Sequence, residues 1–287
     1  MPNAAPAPAQ PIRPQAPEVS ILTSANPLPA DVAAYERWRT GLTSRNVHTV
    51  AGGTWPTDCY DGESEKVAIE GDSDELAEFL PTTIYSHHGC NGRVDAEEYR
   101  DEAVALLEAR TASMLARELW TGEVSGNPSL VSTGIDITAF IGGSVSAADG
   151  IAILLQAFSE NTLGLEGTVH IPAAALGQLT AYNIQRHGNR IETLNGHPVI
   201  TGPGYPGAGE VGPGGAEPGA GQVYAYVTGP VEVAVSPIVV LGTDANAVGS
   251  YSRQNLVEFY AERQIIYRFP TAPVFGLLID LYTPNGA

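Results

Sequence analysis

Apolar residues recur at helical spacing in one long stretch, where Tyr99, Ala103, Leu106, Leu107, Met114 and Leu115 lead up to Trp120. Asp95 followed by Glu98 forms a capping box, and acidic residues fill the first turn. The spacing predicts a helix over residues 95–120, about 37 Å long at 1.5 Å per residue. A second amphipathic helix is predicted from Ser146, with Asp149 completing its capping box and Ile151, Leu154, Leu155 and Phe158 on one face. The short apolar run Thr168–Ile171 reads as a strand. Pro172 follows as the first residue of a third helix, predicted to continue to about Gln185. Asn195-Gly196 separates the β-type runs 191–194 and 199–201, as a hairpin turn does. Three further β-rich runs, Val223–Thr228, Val231–Leu241 and Val274–Tyr282, enclose a charged segment from Arg253 to Arg268. Helices followed by strands, without regular alternation, predict an α+β fold.

Outside these elements the pattern thins. Residues 1–30 carry Pro2, Pro6, Pro8, Pro11, Pro14, Pro17, Pro27 and Pro29 and little to bury, which excludes a helix or central strand there. Such an arm needs a surface outside the chain to order it, so deleting residues 2–25 is expected to leave a folded subunit that assembles poorly. Residues 31–39 read as a short helix. A Thr/Gly-rich extended stretch then runs to Leu80, turning at Gly52, Gly53, Gly62 and Gly71. Alternation over Lys66–Glu70 predicts one strand of a projecting two-stranded hairpin, a structure marginal without a partner surface. Residues 202–222 are rich in Gly and Pro and read as one long loop.

Charge narrows the function. Fourteen Lys and Arg stand against 32 Asp and Glu, for a net charge of −18, and Lys66 is the sole lysine. Phosphate neutralisation needs clustered cations, so sequence-specific nucleic-acid binding is excluded. The acidity keeps a soluble chain in solution, and it also suits the inner wall of a container through which DNA must slide. The N-terminus lacks the basic and apolar regions of a secretory signal, and no apolar run reaches the roughly 18 residues of a membrane span. Synthesis in a cytoplasm and no membrane partner are the expectations. Two cysteines, Cys59 and Cys90, provide no disulfide framework.

The candidate chemistry is sparse. Cys59, His87, His88 and Cys90 are zinc-ligand types, but their spacing matches no standard site. A Cys59–Cys90 disulfide closing in an oxidising exterior is the stronger alternative, and free thiols are the default. Gly202–Gly215 lacks the Gly-Lys-Ser/Thr ending and the following helix of a phosphate loop. Asp72, Asp74, Glu75 and Glu78 read as a solvated acidic loop. Lys66 and Asn255 are the types that an isopeptide cross-link would join. No catalytic, cofactor-binding or metal-binding residue is assigned, and no cofactor is expected.

The run PTTIYSHHGCNGRVDAEEYRDEAVALLEARTASMLARELWTG, residues 81–122, resembles major capsid proteins of actinobacteriophages, with Glu118-Leu119-Trp120-Thr121-Gly122 its most specific block. GTVHIPAAALGQL at 167–179, LNGHPVITGPGY at 194–205 and YAYVTGPVEV at 224–233 extend the resemblance in order, so that it spans about 35–282. It implies the Hong Kong 97-like phage capsid fold: an N-terminal arm at 1–40, an extended E-loop at 41–80, a peripheral domain with the long spine helix at 81–145, an axial domain at 146–240, and a return to the peripheral domain at 241–287. Residues 202–222 would lie near the hexamer or pentamer axis. The implied function is a non-enzymatic major capsid protein that assembles with itself as hexamers and pentamers into an icosahedral head around double-stranded DNA. A portal protein would occupy one vertex, and the virion would be built in the host cytoplasm. The helical, charge-rich leader of many relatives is absent here, so a separate scaffolding protein, or none, is expected. An encapsulin-like compartment shell, a minor head or tail protein and an acidic hydrolase are the competing readings.

Overall fold

The structure is a computed structural model that describes residues 14–29, 37–45, 76–91, 96–162, 164–180, 183–207, 210–242 and 256–281. In chain order the strands are β1 (Asn26–Pro27), β2 (Leu42–Arg45), β3 (Leu76–Phe79), β4 (Thr82–Asn91), β5 (Ile135–Asp136), β6 (Thr168–His170) and β7 (Ile184–His187). They continue as β8 (Arg190–Thr193), β9 (Pro198–Ile200), β10 (Gln222–Thr228), β11 (Glu232–Val235), β12 (Val239–Gly242), β13 (Leu256–Arg268) and β14 (Phe275–Asp280). The helices are α1 (Ile21–Ser24), α2 (Arg37–Thr40), α3 (Ala96–Thr121), α4 (Leu130–Thr133), α5 (Thr138–Ile141), α6 (Ala147–Thr162) and α7 (Ala173–Leu176). The chain forms two compact units, one from Ile84–Thr111 and Pro237–Arg263, the other from Pro17–Thr83, Ala112–Ser236 and Gln264 onward.

The larger unit is built on a seven-stranded sheet in the order β5-β14-β10-β6-β9-β8-β7. β10 is its centre, antiparallel to β14 from Gln222↔Asp280 to Val227↔Phe275 and to β6 on its other side. Alternate residues Val223, Ala225 and Val227 share a core with Ile151, Leu154 and Phe158 of α6, and all but the small Ala225 are worth about 2 kcal/mol each on burial. The intervening Tyr224 and Tyr226 face the other way, and Tyr226 meets Trp120 of α3 edge-on at 4.9 Å. Both faces are therefore covered, and β10 reads as a continuous apolar run for that reason. The predicted cap of α6 is half realised. The Asp149 N–H donates to Ser146 Oγ at 3.2 Å, while the Asp149 carboxylate accepts from the same hydroxyl at 2.7 Å.

The Gly/Pro-rich loop is pinned from within. Gly204 sits at φ +105° with an added Cβ only 2.1 Å from the Ser113 carbonyl, so no other residue fits beside α3. Tyr205 then enters the core and donates to His170 Nδ1 at 2.7 Å. Thr228 Oγ1 spends its proton on the Gly229 carbonyl at 2.8 Å, so it accepts from His170 Nε2–H at 2.9 Å. His170 is thereby a neutral imidazole of defined tautomer, and burial drives its pKa from 6.5 down to about 3.

Four expectations need correction. Residues 17–29 are not a bare arm: Ile21, Ala25 and Leu28 are buried, Ser20 caps the single turn α1, and β1 pairs in parallel with β11. Pro27 is tolerated because β1 is an edge strand. Deletion through residue 25 would thus strip core side chains as well as tail. The third helix stops at Gly177, with Pro172 as its N-cap residue, and Ile184–His187 pairs with β8 because sheet hydrogen bonds outweigh helix propensity. From Leu256 the charged segment is β13, the longest described strand: Phe259 and Ala261 point inward, Tyr260 and Glu262 outward. Finally, the expected strand at 231–241 is split at Ser236–Ile238. β14 lies inside the seven-stranded sheet, between β5 and β10.

In the smaller unit, β4 and β12 pair with the first part of β13, and the first part of α3 covers one face. Ile84, Ser86, Phe259 and Ala261 are buried there, and the Ser86 hydroxyl donates to the Ala103 carbonyl of α3. The long helix runs where its periodicity places it. Ala103 and Leu107 are fully buried, but the last turns bury Ala116, Glu118, Leu119 and Trp120 on nearly every side.

Leu107→Asp should cost about 3 kcal/mol or more by burying an unpaired carboxylate, read as loss of soluble folded protein. Ile21→Ala should cost about 2–4 kcal/mol in urea unfolding, against no loss if residues 17–29 were a detached tail. Above pH 6.5 the buried neutral His170 carries no penalty. Below that, the unfolded chain gains a proton that the folded chain refuses until about pH 3. Stability should fall by about 1.4 kcal/mol per pH unit from this group, and His170→Gln should show a correspondingly shallower acid slope.

Candidate assembly site at the root of the extended hairpin

β2 and β3 pair antiparallel from Leu42↔Phe79 to Arg45↔Leu76, leaving residues 46–75, outside the described residues, as the connection. The root of this ribbon is set by packing. Phe79 is fully buried, with its ring 5.5 Å from both Tyr267 and Phe269 and edge-on to each. Gly41 turns the chain into β2 at φ +83°, where a Cβ would lie 2.4 Å from the Phe79 carbonyl.

Hydrogen bonds then fix the ribbon's direction. Asn127 treats Leu80 as a strand would: its Oδ1 accepts from Leu80 N–H at 2.7 Å, and its Nδ2 donates to the Leu80 carbonyl at 2.8 Å. Asn127 is held in turn, because its own N–H donates to Ser125 Oγ at 3.2 Å while the Ser125 hydroxyl donates to Glu118. The buried Glu118 carboxylate also accepts from Ser125 N–H at 2.9 Å and Val124 N–H at 3.1 Å. A carboxylate in the last turn of a helix opposes the macrodipole. Three donors offset that cost, and the acid earns its place by shaping the turn that presents Asn127. The Tyr267 hydroxyl closes the arrangement, 3.2 Å from the Glu118 carbonyl and 3.1 Å from that of Pro128.

Beside the root lies a groove of about 450 Å³, lined by Thr43, Arg45, Leu76, Glu232, Arg268 and Pro270 among others. Arg268 spans it, paired with Glu232 and donating to the Thr43 carbonyl at 3.1 Å. Leu76 and Leu80 are left half-exposed on the ribbon. Among the described residues the site offers shape, an ion pair and the open side chains of Leu76 and Leu80, and brings no nucleophile and base together.

The sequence-predicted candidates separate. Cys59, Lys66, Asp72, Asp74, Glu75 and Asn255 lie outside the described residues, as do Asp95 and the strand expected at 66–70. Glu78 is exposed on β3. His87 and His88 are neighbours on β4 and so face opposite sides: His87 stacks on Tyr260 at 4.5 Å, whereas His88 stacks on Tyr99 at 4.9 Å with Nε2 3.1 Å from Glu102. They cannot share one ion. Cys90 lies in β4. Gly202–Gly215 leads into a three-residue 3-10 turn, Pro213–Gly215, and packs on α3. Sequence reading missed Asn127 and the purpose of Glu118. An acid in an otherwise apolar final turn, with Asn-Pro shortly after Gly122, was the available signal.

Asn127→Ala should cost about 2 kcal/mol, since it leaves both Leu80 backbone groups without their partners. Amide exchange should accelerate at Leu80 and stay slow at Ala225. Unchanged exchange at Leu80 would mean the ribbon is held by packing alone.

No protein-family model and no curated protein matches the chain. Solved structures do. The capsid of a native GTA particle matches with a TM-score of 0.54 and 14% identity, over 97% of this chain and 96% of that one. A structure from Mycobacterium phage Ogopogo matches at 0.53 and 13%, over 96% of each chain. The holo-SrpI encapsulin complex from Synechococcus elongatus matches at 0.52 and 12%, over 98% and 95%. At such identities the likeness is one of fold. The chain has the α+β fold of phage capsid proteins, in agreement with the resemblance carried by its residues 81–122.

Proposed function

We propose that this chain is the major capsid protein of a tailed bacteriophage, which assembles with itself as hexamers and pentamers into the icosahedral head enclosing double-stranded DNA. The supporting observation is an end-to-end match, over 97% of the chain, to a subunit whose structure is a capsid. A ribbon rooted with this rigidity, while Leu76 and Leu80 stay open, suits contact between subunits. In this reading the role is structural and non-enzymatic, and residues 41–80 reach over a neighbouring subunit. The smaller unit serves as the core of the peripheral domain, and the seven-stranded sheet carries the axial domain. A portal protein fills one vertex, assembly in the host cytoplasm uses a separate scaffolding protein or none, and the net charge of −18 keeps the wall from binding DNA tightly.

The encapsulin match favours a second reading, a protein compartment loaded with cargo in place of a genome. Particle contents separate the two. Negative-stain imaging of the purified chain should show closed shells of uniform diameter. Particles from the native source should hold DNA and a portal; a cargo enzyme without either would favour the compartment. Small oligomers with metal-dependent hydrolytic turnover would overturn both.

A further inference from the structure

An antiparallel sheet covered by a helix on one face normally presents polar residues on the other. The smaller unit departs from this. Its helix-covered face buries Ile84, Ser86, Phe259 and Ala261, and alternation places Tyr85 and His87 of β4, Tyr260 of β13, and Val239 and Leu241 of β12 on the opposite face. The register sets Leu241 across from Tyr260 and Val239 across from Glu262, while His87 stacks on Tyr260 at 4.5 Å. These side chains form one continuous apolar and aromatic band. Tyr85 is 59% exposed, Val239 57% and Leu241 50%. Among the described side chains of the band Glu262 is the single carboxylate, in a chain with 32 acidic residues. No described strand pairs with the outer edge of β12.

We infer that this band is an interface between copies of the chain, buried when a second copy packs across β12, β13 and β4. Charge identifies the occupant. Copies that each carry a net −18 repel wherever their acidic surfaces meet, so they can approach closely only where carboxylates are depleted. In its described side chains the band is such a place, and depletion of charge with enrichment in tyrosine is the composition of an interface core. The contact rests on the shell-forming reading above and adds to it a specific surface, separate from the hairpin root.

Val239→Glu combined with Leu241→Glu tests it, because both side chains point away from the covered face and the subunit should keep its unfolding midpoint. Shell yield, counted by electron microscopy and sedimentation, should drop at least about tenfold, as expected when charge is forced into an interface core. Leu241→Cys supplies a second readout: maleimide labelling of that thiol, located by mass spectrometry, should be at least about tenfold slower in shells than in dissociated subunits. Normal shells from the double variant, or equal labelling in both states, would overturn the interface. Protection of the thiol that needs another virion protein would overturn the second copy as occupant. If the wild-type chain itself forms no shells, the shell reading fails before this surface is tested.

Discussion

A two-stranded ribbon has too little buried area to hold its own direction, so its geometry depends on what grips its base. Here the grip is the two-point hydrogen bond between the Asn127 carboxamide and the Leu80 backbone, set above Phe79 between two aromatic rings. Each link behind it constrains the next: Glu118 shapes the turn, the turn aims Ser125, and Ser125 aims Asn127. Such networks cost more to break than their separate bonds suggest, because a half-satisfied buried carboxylate is worse than none. The conformational freedom of the ribbon is thus limited by the end of α3, far along the sequence from the ribbon itself.

The same logic explains how segments of low propensity are kept in place. The loop at 202–222 forms little regular structure, yet Tyr205 reaches His170 and Gly204 fits against Ser113, so the surrounding framework offsets the entropy of ordering it. The proline-rich N-terminal region is handled alike at Ile21, Ala25 and Leu28. Arg186 and Arg190 of the β7–β8 hairpin add surface contacts to Glu18 at 2.8 Å and to the Thr23 carbonyl at 3.2 Å, worth little individually.

Elements whose stability is local were legible in the sequence. The long helix, the helix at 147–162 and the hairpin around Asn195-Gly196 all follow from periodicity, caps and turn chemistry. Elements that depend on a distant partner were not. β13 hid behind Glu262 and Arg263, although its inward and outward alternation was present at 259–262. Ile184–His187 looked helical because its partner β8 lies beyond a glycine turn. Of the assembly site, the Glu118–Gly122 block stood out only as a resemblance. Its physical role lies in hydrogen bonds from a turn to a residue 47 positions earlier, which spacing alone does not encode.

Neither compact unit is a contiguous piece of chain, since α3 and β13 each contribute to both. On the ribosome this has a cost in time. The apolar side of α3, including Leu107, leaves the exit tunnel long before Phe259 and Ala261 of its own unit are synthesised. The nascent helix must wait, unprotected, for strands that follow much later in the chain. The smaller unit therefore closes only once β13 has emerged, and the waiting helix is a natural client for chaperones that recognise exposed apolar segments.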